Sequence, residues 1–152
     1  MKLEDFLLVR GVHFEKHHHR RTNTAKGLAE AEGVSGYEVA KPVIVRSGKN
    51  YTMCVLPAPC RVDLKRVSAA LGSSDTRLAT EKELAGLFPD CELGAEPPFG
   101  NMFGMKTIMD PKLKEDDYLL AQSGTHTDSV RMRRQDWERV CRPLVAEIAA
   151  DD

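Results

Sequence analysis

Three short stretches of the 152-residue sequence contain residues that could do chemistry. Lys41 lies between Ala40 and Pro42 at the start of an apolar run, AKPVIV, where an ammonium group is costly to bury unless an anion or a ligand accompanies it. The segment GAEPPFG (94–100) is stiffened by prolines and opened by glycines, so its backbone amides could hold a carbonyl or an anion. The stretch SGTHTDS contains His126, which could donate a hydrogen bond or relay a proton near neutral pH.

Each of these stretches also has an ordinary structural interpretation. Lys41 could extend its ammonium group to solvent from the end of a strand. The glycine- and proline-rich segment could simply connect two elements, and His126 could be a surface residue of a turn. The three stretches therefore indicate a functional site only if the fold brings them together.

Motifs of several common enzyme classes are absent from the sequence. It contains no G-x-S-x-G, no phosphate-binding P-loop, no H-E-x-x-H and no dinucleotide-binding fingerprint. The run His17–His19 could bind a transition metal, but adjacent residues of an extended chain point to alternating faces. An exposed basic segment is the favoured interpretation, and a small metal-binding protein is kept as an alternative.

Length and composition predict one folded domain over residues 1–152. With 41% hydrophobic and 30% charged residues the chain resembles ordinary globular proteins, and a net charge of −1 excludes a dominant basic field. Glu4 and Asp5 interrupt the N-terminus where a signal peptide needs apolar residues, and no apolar run could span a membrane. We expect a cytoplasmic protein whose four widely spaced cysteines are reduced.

Periodicity and capping residues predict helices that alternate irregularly with strands. The predicted helices cover about 2–10, 25–32, 64–71, 81–88 and 135–148, with Pro143 expected to kink or split the last one. The predicted strands cover about 12–19, 43–46, 51–56, 106–110, 117–124 and 128–133. This order favours an α+β (mixed α/β) fold with a central mixed sheet and surrounding helices.

In their order and spacing these segments resemble the YbaK/prolyl-tRNA synthetase-associated editing domain family, the aminoacyl-tRNA deacylases. The resemblance covers most of the chain and is carried by Lys41 on its strand, by the run VLPAPCRVDLKRV (55–67), by Gly94 and Pro98 of a G-x-x-x-P loop, and by SGTHTDSVRM (123–132). It implies a compact α+β domain that hydrolyses the ester between an amino acid and the terminal adenosine of a mischarged tRNA.

The resemblance also implies roles for individual residues. Lys41 would anchor the adenosine or its phosphate, the loop that starts at Gly94 would hold the aminoacyl group by its backbone, and His126 would lie near the amino-acid pocket. The implied catalytic residues are Lys41, Gly94 and His126, and the implied substrate-binding residues are His19, Ala95, Pro98, Gly100, Gly124, Thr125 and Asp128. The expected partner is the acceptor end of aminoacyl-tRNA, with a synthetase as a further candidate, and neither a cofactor nor a metal is expected.

Two positions depart from the family pattern. Pro42 stands where a small hydroxyl residue usually follows the lysine, and in other branches an aspartate occupies about the position of Ser129. Hydrolysis needs no protein nucleophile if the site orients a water molecule and stabilises the developing oxyanion. Because Pro42 removes a backbone donor, the alternative of a noncatalytic module that binds an aminoacyl or tRNA end, or a synthetase, stays open.

Overall fold

The computed structural model describes residues 1–151, which form five α-helices and eight strands. The helices are α1 (Leu3–Val9), α2 (Ala25–Glu32), α3 (Leu64–Leu71), α4 (Glu81–Leu87) and α5 (Arg134–Cys141). The strands are β1 (Phe14–His18), β2 (Ala40–Ser47), β3 (Asn50–Pro57), β4 (Thr76–Leu78), β5 (Lys106–Met109), β6 (Tyr118–Gln122), β7 (Asp128–Arg133) and β8 (Leu144–Val145). Short 3-10 helices cover Gly36–Glu38, Gly100–Phe103 and Pro111–Glu115.

The strands form two sheets that share one hydrophobic core. The larger sheet has the order β4-β2-β3-β5-β8, antiparallel from β4 to β3 and parallel from β3 to β8. The smaller sheet, β1-β7-β6, is antiparallel throughout. Met53 of the larger sheet and Val130 of the smaller one belong to the same buried cluster, together with Phe99 and Trp137. The predicted α+β class with a mixed sheet is confirmed.

Local sequence signals fix the ends of most helices where they were predicted. Thr24 accepts a hydrogen bond from the Gly27 amide at the start of α2, and Gly33 ends that helix in the left-handed conformation. Thr80 and Glu83 form the predicted capping box of α4. The hairpin of β2 and β3 is closed by the predicted turn, with Gly48 at positive φ.

The prediction that the last helix continues past Pro143 is wrong. Helix α5 ends at Cys141, and Arg142 adopts φ 51° before the proline, which has no amide hydrogen to donate. The following residues, Leu144 and Val145, form β8 and pair in parallel with β5. Farther on, the amides of residues 148 and 149 donate to the Asp110 carboxylate, so they make no helical bonds. Strand β4, which is only three residues long, was not predicted.

One edge of β2 is only partly covered by neighbouring strands. Strand β4 pairs with β2 from Val45 to Ser47, and the Ala79 amide donates to the Ile44 carbonyl at 2.9 Å. At the start of the strand, Val39 forms an isolated parallel bridge with Leu120 of β6, and between that bridge and the β4 pairing no strand pairs with this edge among residues 1–151. A short stretch of the β2 edge is therefore left without a neighbouring strand.

Candidate functional site

A cleft of about 380 Å³ lies at the open edge of β2. Its walls are the first half of β2, the start of α2, the connection from β4 to α4, and the glycine- and proline-rich loop. The residues around it are Asn23, Thr24, Ala25, Val39, Ala40, Lys41, Pro42, Val43, Ile44, Leu78, Ala79, Leu84, Gly94, Glu96 and Gln122. The fold thus brings Lys41 and Gly94, which are 53 positions apart in the sequence, to one cleft.

Lys41 has no carboxylate partner among the described residues. Its half-buried ammonium group donates to the Ala58 carbonyl at 3.1 Å and to the Cys60 carbonyl. Burial lowers the pKa of Lys41, an effect that nearby Cys60 opposes and nearby Lys26 adds to. An ammonium group has three hydrogens, so these two bonds orient Lys41 and leave one donor available. No described carboxylate forms an ion pair with it, and its positive charge is not neutralised.

Pro42 is accommodated because its backbone faces the open edge. The carbonyl of Ile44 points toward the β4 side, where it accepts from Ala79. Backbone groups of alternate residues in an antiparallel strand point to the same side, so those of Pro42 also face away from β3. The missing amide hydrogen of Pro42 therefore costs the β2-β3 ladder nothing, and the cleft has one backbone donor fewer at this point.

Hydrogen bonds hold the loop from Glu92 to Pro98 against the smaller sheet. Gly124 donates to the Ala95 carbonyl at 2.9 Å and accepts from the Glu92 amide at 2.8 Å. Gly94 adopts φ 86°, and its amide donates to Oε1 of Glu96 at 3.1 Å. The Gly94 amide is thus occupied within the protein, whereas the Glu96 amide makes no hydrogen bond with another described residue.

The end of the loop is buried and serves the packing of the core. Trp137 is fully buried and donates from Nε1 to the Pro98 carbonyl at 2.9 Å. A Cβ on Gly100 would lie 2.3 Å from Oγ1 of Thr107, so only glycine fits there. Neither Pro98 nor Gly100 lines the cleft, and the same holds for buried Ala95.

His126 is hydrogen-bonded to the loop by its side chain. It is 6% exposed, and its Nε2 donates to the Leu93 carbonyl at 2.8 Å, which fixes the proton on that nitrogen. Its backbone amide donates to Glu92, and this bond is the main reason that the pKa of Glu92 lies below its usual range. A Cβ on Gly94 would lie 3.6 Å from the imidazole. His126 does not line the cleft.

The other predicted binding residues lie outside the cleft. The His19 amide donates to Thr127 at 2.8 Å, which extends the β1-β7 pairing. Asp128 accepts from the Thr125 hydroxyl at 2.6 Å and from His18 at 3.0 Å, and these bonds lower its pKa. This cluster of side chains lies at the end of the smaller sheet and is separate from the lining of the cleft.

Two buried polar residues of the cleft were missed by the sequence analysis, Glu96 and Gln122. Each is 6% exposed, and the carbonyl oxygen of the Gln122 side chain is buried without a hydrogen-bond partner. The one signal that marks them is that each is a polar residue whose neighbours are buried in the folded chain. Burial is a property of the folded chain, so the sequence pattern did not distinguish them.

Larger hollows exist elsewhere, but none of the three residues predicted to be catalytic lines them. One of about 550 Å³ lies beside the hairpin turn and includes Lys49 and Tyr51, and one of about 670 Å³ lies near Met1 and Gly124. Neither includes Lys41 or Gly94. Among residues 1–151 no group of three His, Cys, Asp or Glu side chains is placed to hold a metal ion. In the same range no helix is both long and apolar enough to cross a membrane.

Comparison with known proteins gives a consistent family and fold. A family model of the aminoacyl-tRNA editing domain matches residues 19–140. The hypothetical protein APE2540 has a crystal structure that superposes with a TM-score of 0.88 at 20% identity, over 97% of this chain and 99% of that one. A candidate trans-editing enzyme for prolyl tRNA synthetase superposes with a TM-score of 0.85 at 22% identity, over 98% and 95%. No curated protein is matched by the sequence.

Proposed function

The chain belongs to the aminoacyl-tRNA editing domain family, and from this membership we propose that it hydrolyses the ester bond of a tRNA mischarged with a small amino acid. The observation that carries the proposal is the cleft shared by Lys41 and Gly94. The ammonium group of Lys41, which has no carboxylate partner, lies there beside an open strand edge and a loop whose backbone is held by hydrogen bonds. These features suit the negatively charged end of a tRNA that carries an acyl group.

In the proposed reaction Lys41 binds the terminal nucleotide through its phosphate or ribose, using the remaining donor of its ammonium group. The loop at Gly94 and Glu96 receives the aminoacyl group, and the unbonded Glu96 amide is available to its carbonyl oxygen. A donor fixed in this way stabilises the oxyanion more than mobile water does. The contribution of the protein is orientation and electrostatic stabilisation.

The proposed chemistry consists of one addition and one cleavage. A water oxygen adds to the ester carbonyl carbon, and the bond from that carbon to the ribose oxygen then breaks. One proton from the water passes to the departing ribose oxygen through the neighbouring ribose hydroxyl. The products are a free amino acid and an uncharged tRNA, and no redox partner is needed.

The size of the cleft favours a small amino acid. Its volume of about 380 Å³ is near the lower end of the range for small-molecule sites, roughly 300 to 1,000 Å³. A ribose and an aminoacyl group with a short side chain fit this space better than a bulky acyl group does. Because one methylene changes binding by only roughly 1 to 3 kcal/mol, we expect graded preference among alanine, serine and threonine.

The proposal is tested with a panel of tRNAs charged with alanine, serine, threonine, proline and leucine. We expect the purified protein to release at least one of the three small amino acids faster than spontaneous hydrolysis does, and leucine no faster. A synthetase could be a further partner, so each assay is run with and without prolyl-tRNA synthetase. Failure to release any amino acid in either condition would contradict deacylation.

A noncatalytic binding module is the second candidate. It is favoured by the bond from the Gly94 amide to Glu96 and by the absence of an amide hydrogen on Pro42, which leave few free backbone donors in the cleft. This candidate predicts that the protein binds charged tRNA and protects the ester instead of cleaving it. The same panel separates the two functions, because protection slows release below the spontaneous rate.

A further inference from the structure

Two opposite charges line the cleft without pairing with each other. Lys41 donates to backbone carbonyls, and Glu96 accepts from the backbone amide of Gly94. No ion pair within 4.0 Å involves either side chain among the described residues. Of the described residues that line the cleft, these two alone are of types that carry a formal charge. The cleft is therefore dipolar.

The carboxylate of Glu96 is buried but incompletely satisfied. The residue is 6% exposed, and Oε1 is held by the Gly94 amide at 3.1 Å. Among residues 1–151 its second oxygen, Oε2, has no hydrogen-bond partner, yet it is not among the fully buried unpaired atoms. Burial of a carboxylate without a cation is unfavourable, so the second oxygen is suited to a positively charged group that enters with a ligand.

Gln122 adds a second, independent observation. It lines the same cleft at 6% exposure, and neither atom of its amide makes a hydrogen bond in the described chain. A buried amide without partners is uncommon in folded proteins. Rotation of the amide by half a turn exchanges its oxygen and nitrogen without loss of a hydrogen bond, so Gln122 is able to present an acceptor to the cleft.

We propose that Glu96 and Gln122 form a subsite for the α-ammonium group of the aminoacyl ester, which makes the cleft selective for an acyl group that carries an α-ammonium group over one that lacks it. This inference rests on the proposed deacylase function. The ammonium group is one carbon away from the ester carbonyl, and Glu96 supplies both a side-chain acceptor and an unbonded backbone amide. One residue thus contacts both groups, while Lys41 is left for the nucleotide.

The subsite is tested by calorimetric titration with two ligands that cannot be hydrolysed. One is an amide-linked alanyl-adenosine, and the other is the matching propanoyl-adenosine, which lacks only the amino group. Because a hydrogen bond to a charged group contributes about 1.5 to 3 kcal/mol, we expect the alanyl ligand to bind roughly 10- to 100-fold more tightly. The variant Glu96→Gln still accepts from the Gly94 amide, so the loop is retained, and we expect the preference to fall below about threefold.

Glu81→Gln is the matched control, because it removes one exposed carboxylate at the start of α4, outside the cleft. It should retain the preference of the unaltered protein. Equal affinity of the unaltered protein for the two ligands, or an undiminished preference in Glu96→Gln, would overturn the subsite and leave deacylation standing. If neither ligand binds to the unaltered protein, the proposed function fails, and the subsite fails with it.

Discussion

The two ends of strand β2 each carry a cation, and the two cations have different hydrogen-bond partners. Arg46, near the hairpin turn, donates to the Glu83 carboxylate at 2.8 Å. Arg77 and the Tyr51 hydroxyl donate to the same carboxylate. Lys41, near the start of the strand, donates only to neutral carbonyls. At one end of the strand, called here the neutralised end, the cation is therefore paired with a carboxylate of the protein, and at the other, the open end, the cation has no carboxylate partner among the described residues.

Under the proposed function, this difference separates a contribution to stability from a contribution to ligand binding within one strand. At the neutralised end the bond from Arg77, with further bonds from Tyr51 and the Thr80 amide, holds the pKa of Glu83 far below its usual value. These contacts attach the start of α4 to the sheet through β4. At the open end the positive charge of Lys41 is partly buried and lacks a counter-charge, an arrangement that does little for stability. Binding of an anion would supply the missing counter-charge and make burial of the ammonium group favourable.

The largest expected effect is the loss of Lys41 from the open end. Lys41→Ala removes the fixed cation, and we expect kcat/KM for deacylation to fall about 100-fold with little change in Tm. Lys49→Ala, an exposed lysine at the hairpin turn of the same strand, is the control and should retain full activity. If both variants hydrolyse as fast as the unaltered protein, the two ends do not differ in function.

A smaller effect is expected from a residue that supports the loop. Trp137→Phe removes the indole donor and leaves the buried Pro98 carbonyl with only the longer, weaker bond from the Cys141 thiol at 3.9 Å among the described residues. We expect the free energy of unfolding to fall by about 2 kcal/mol in urea titration. Deacylation should fall modestly as well, because the loop leads into Gly94 and the cleft. Unchanged stability would show that the loop is held without this bond.

At the neutralised end we expect a change in stability alone. Glu83→Gln keeps an acceptor but loses the negative charge that Arg46 and Arg77 share, so Tm at neutral pH should fall by several degrees. The deacylation rate of the folded variant should be unchanged, since Glu83 does not line the cleft. Loss of activity at unchanged Tm would reverse the assignment of the two ends.

The stability supplied by Glu83 should depend on pH in a definite direction. Its pKa is lowered in the folded protein from an ordinary value of 4.5, so the folded state binds fewer protons than the unfolded state. The stabilisation is fully present above pH 4.5 and is lost as the pH falls toward the folded pKa. The Tm difference between the unaltered protein and Glu83→Gln should thus shrink below pH 4.5, as measured by thermal melts in an acid series.

The smallest expected effect concerns the cap of α4. Thr80→Ala removes the hydroxyl that accepts from the Glu83 amide and leaves the bond from the Thr80 amide to the Glu83 side chain. We expect a loss of about 1 kcal/mol in the free energy of unfolding. Thr80→Ser retains the hydroxyl and should unfold at nearly the same urea concentration as the unaltered protein.

The parts of the fold that were predicted are those with short-range causes. Thr24 and Gly33 bound α2 through contacts within a few residues, and Gly48 permits the hairpin turn for the same reason. The last helix was predicted too long because β8 is stabilised by parallel pairing with β5, about 36 positions earlier in the sequence. No pattern within residues 144–148 contains that partner.

The same division applies to the site. Lys41 and Gly94 were chosen for their residue types and family positions, and both line the cleft. His126 was chosen in the same way, but it packs beneath the loop, because its imidazole bonds to the Leu93 carbonyl. Glu96 and Gln122 became visible only once their burial and missing partners were known. Residue type indicates which chemistry a side chain is capable of, while three-dimensional packing determines whether that side chain lines the cleft.

The central claim, that the open end of β2 is the ligand site, is tested most directly by amide chemical shifts in two-dimensional NMR during titration with amide-linked alanyl-adenosine. We predict that the perturbed amides cluster at residues 39–44 of β2 and 94–96 of the loop, while residues 46–51 around the hairpin turn are unaffected. Perturbation centred on the hairpin turn, beside the hollow that includes Lys49 and Tyr51, would contradict the account.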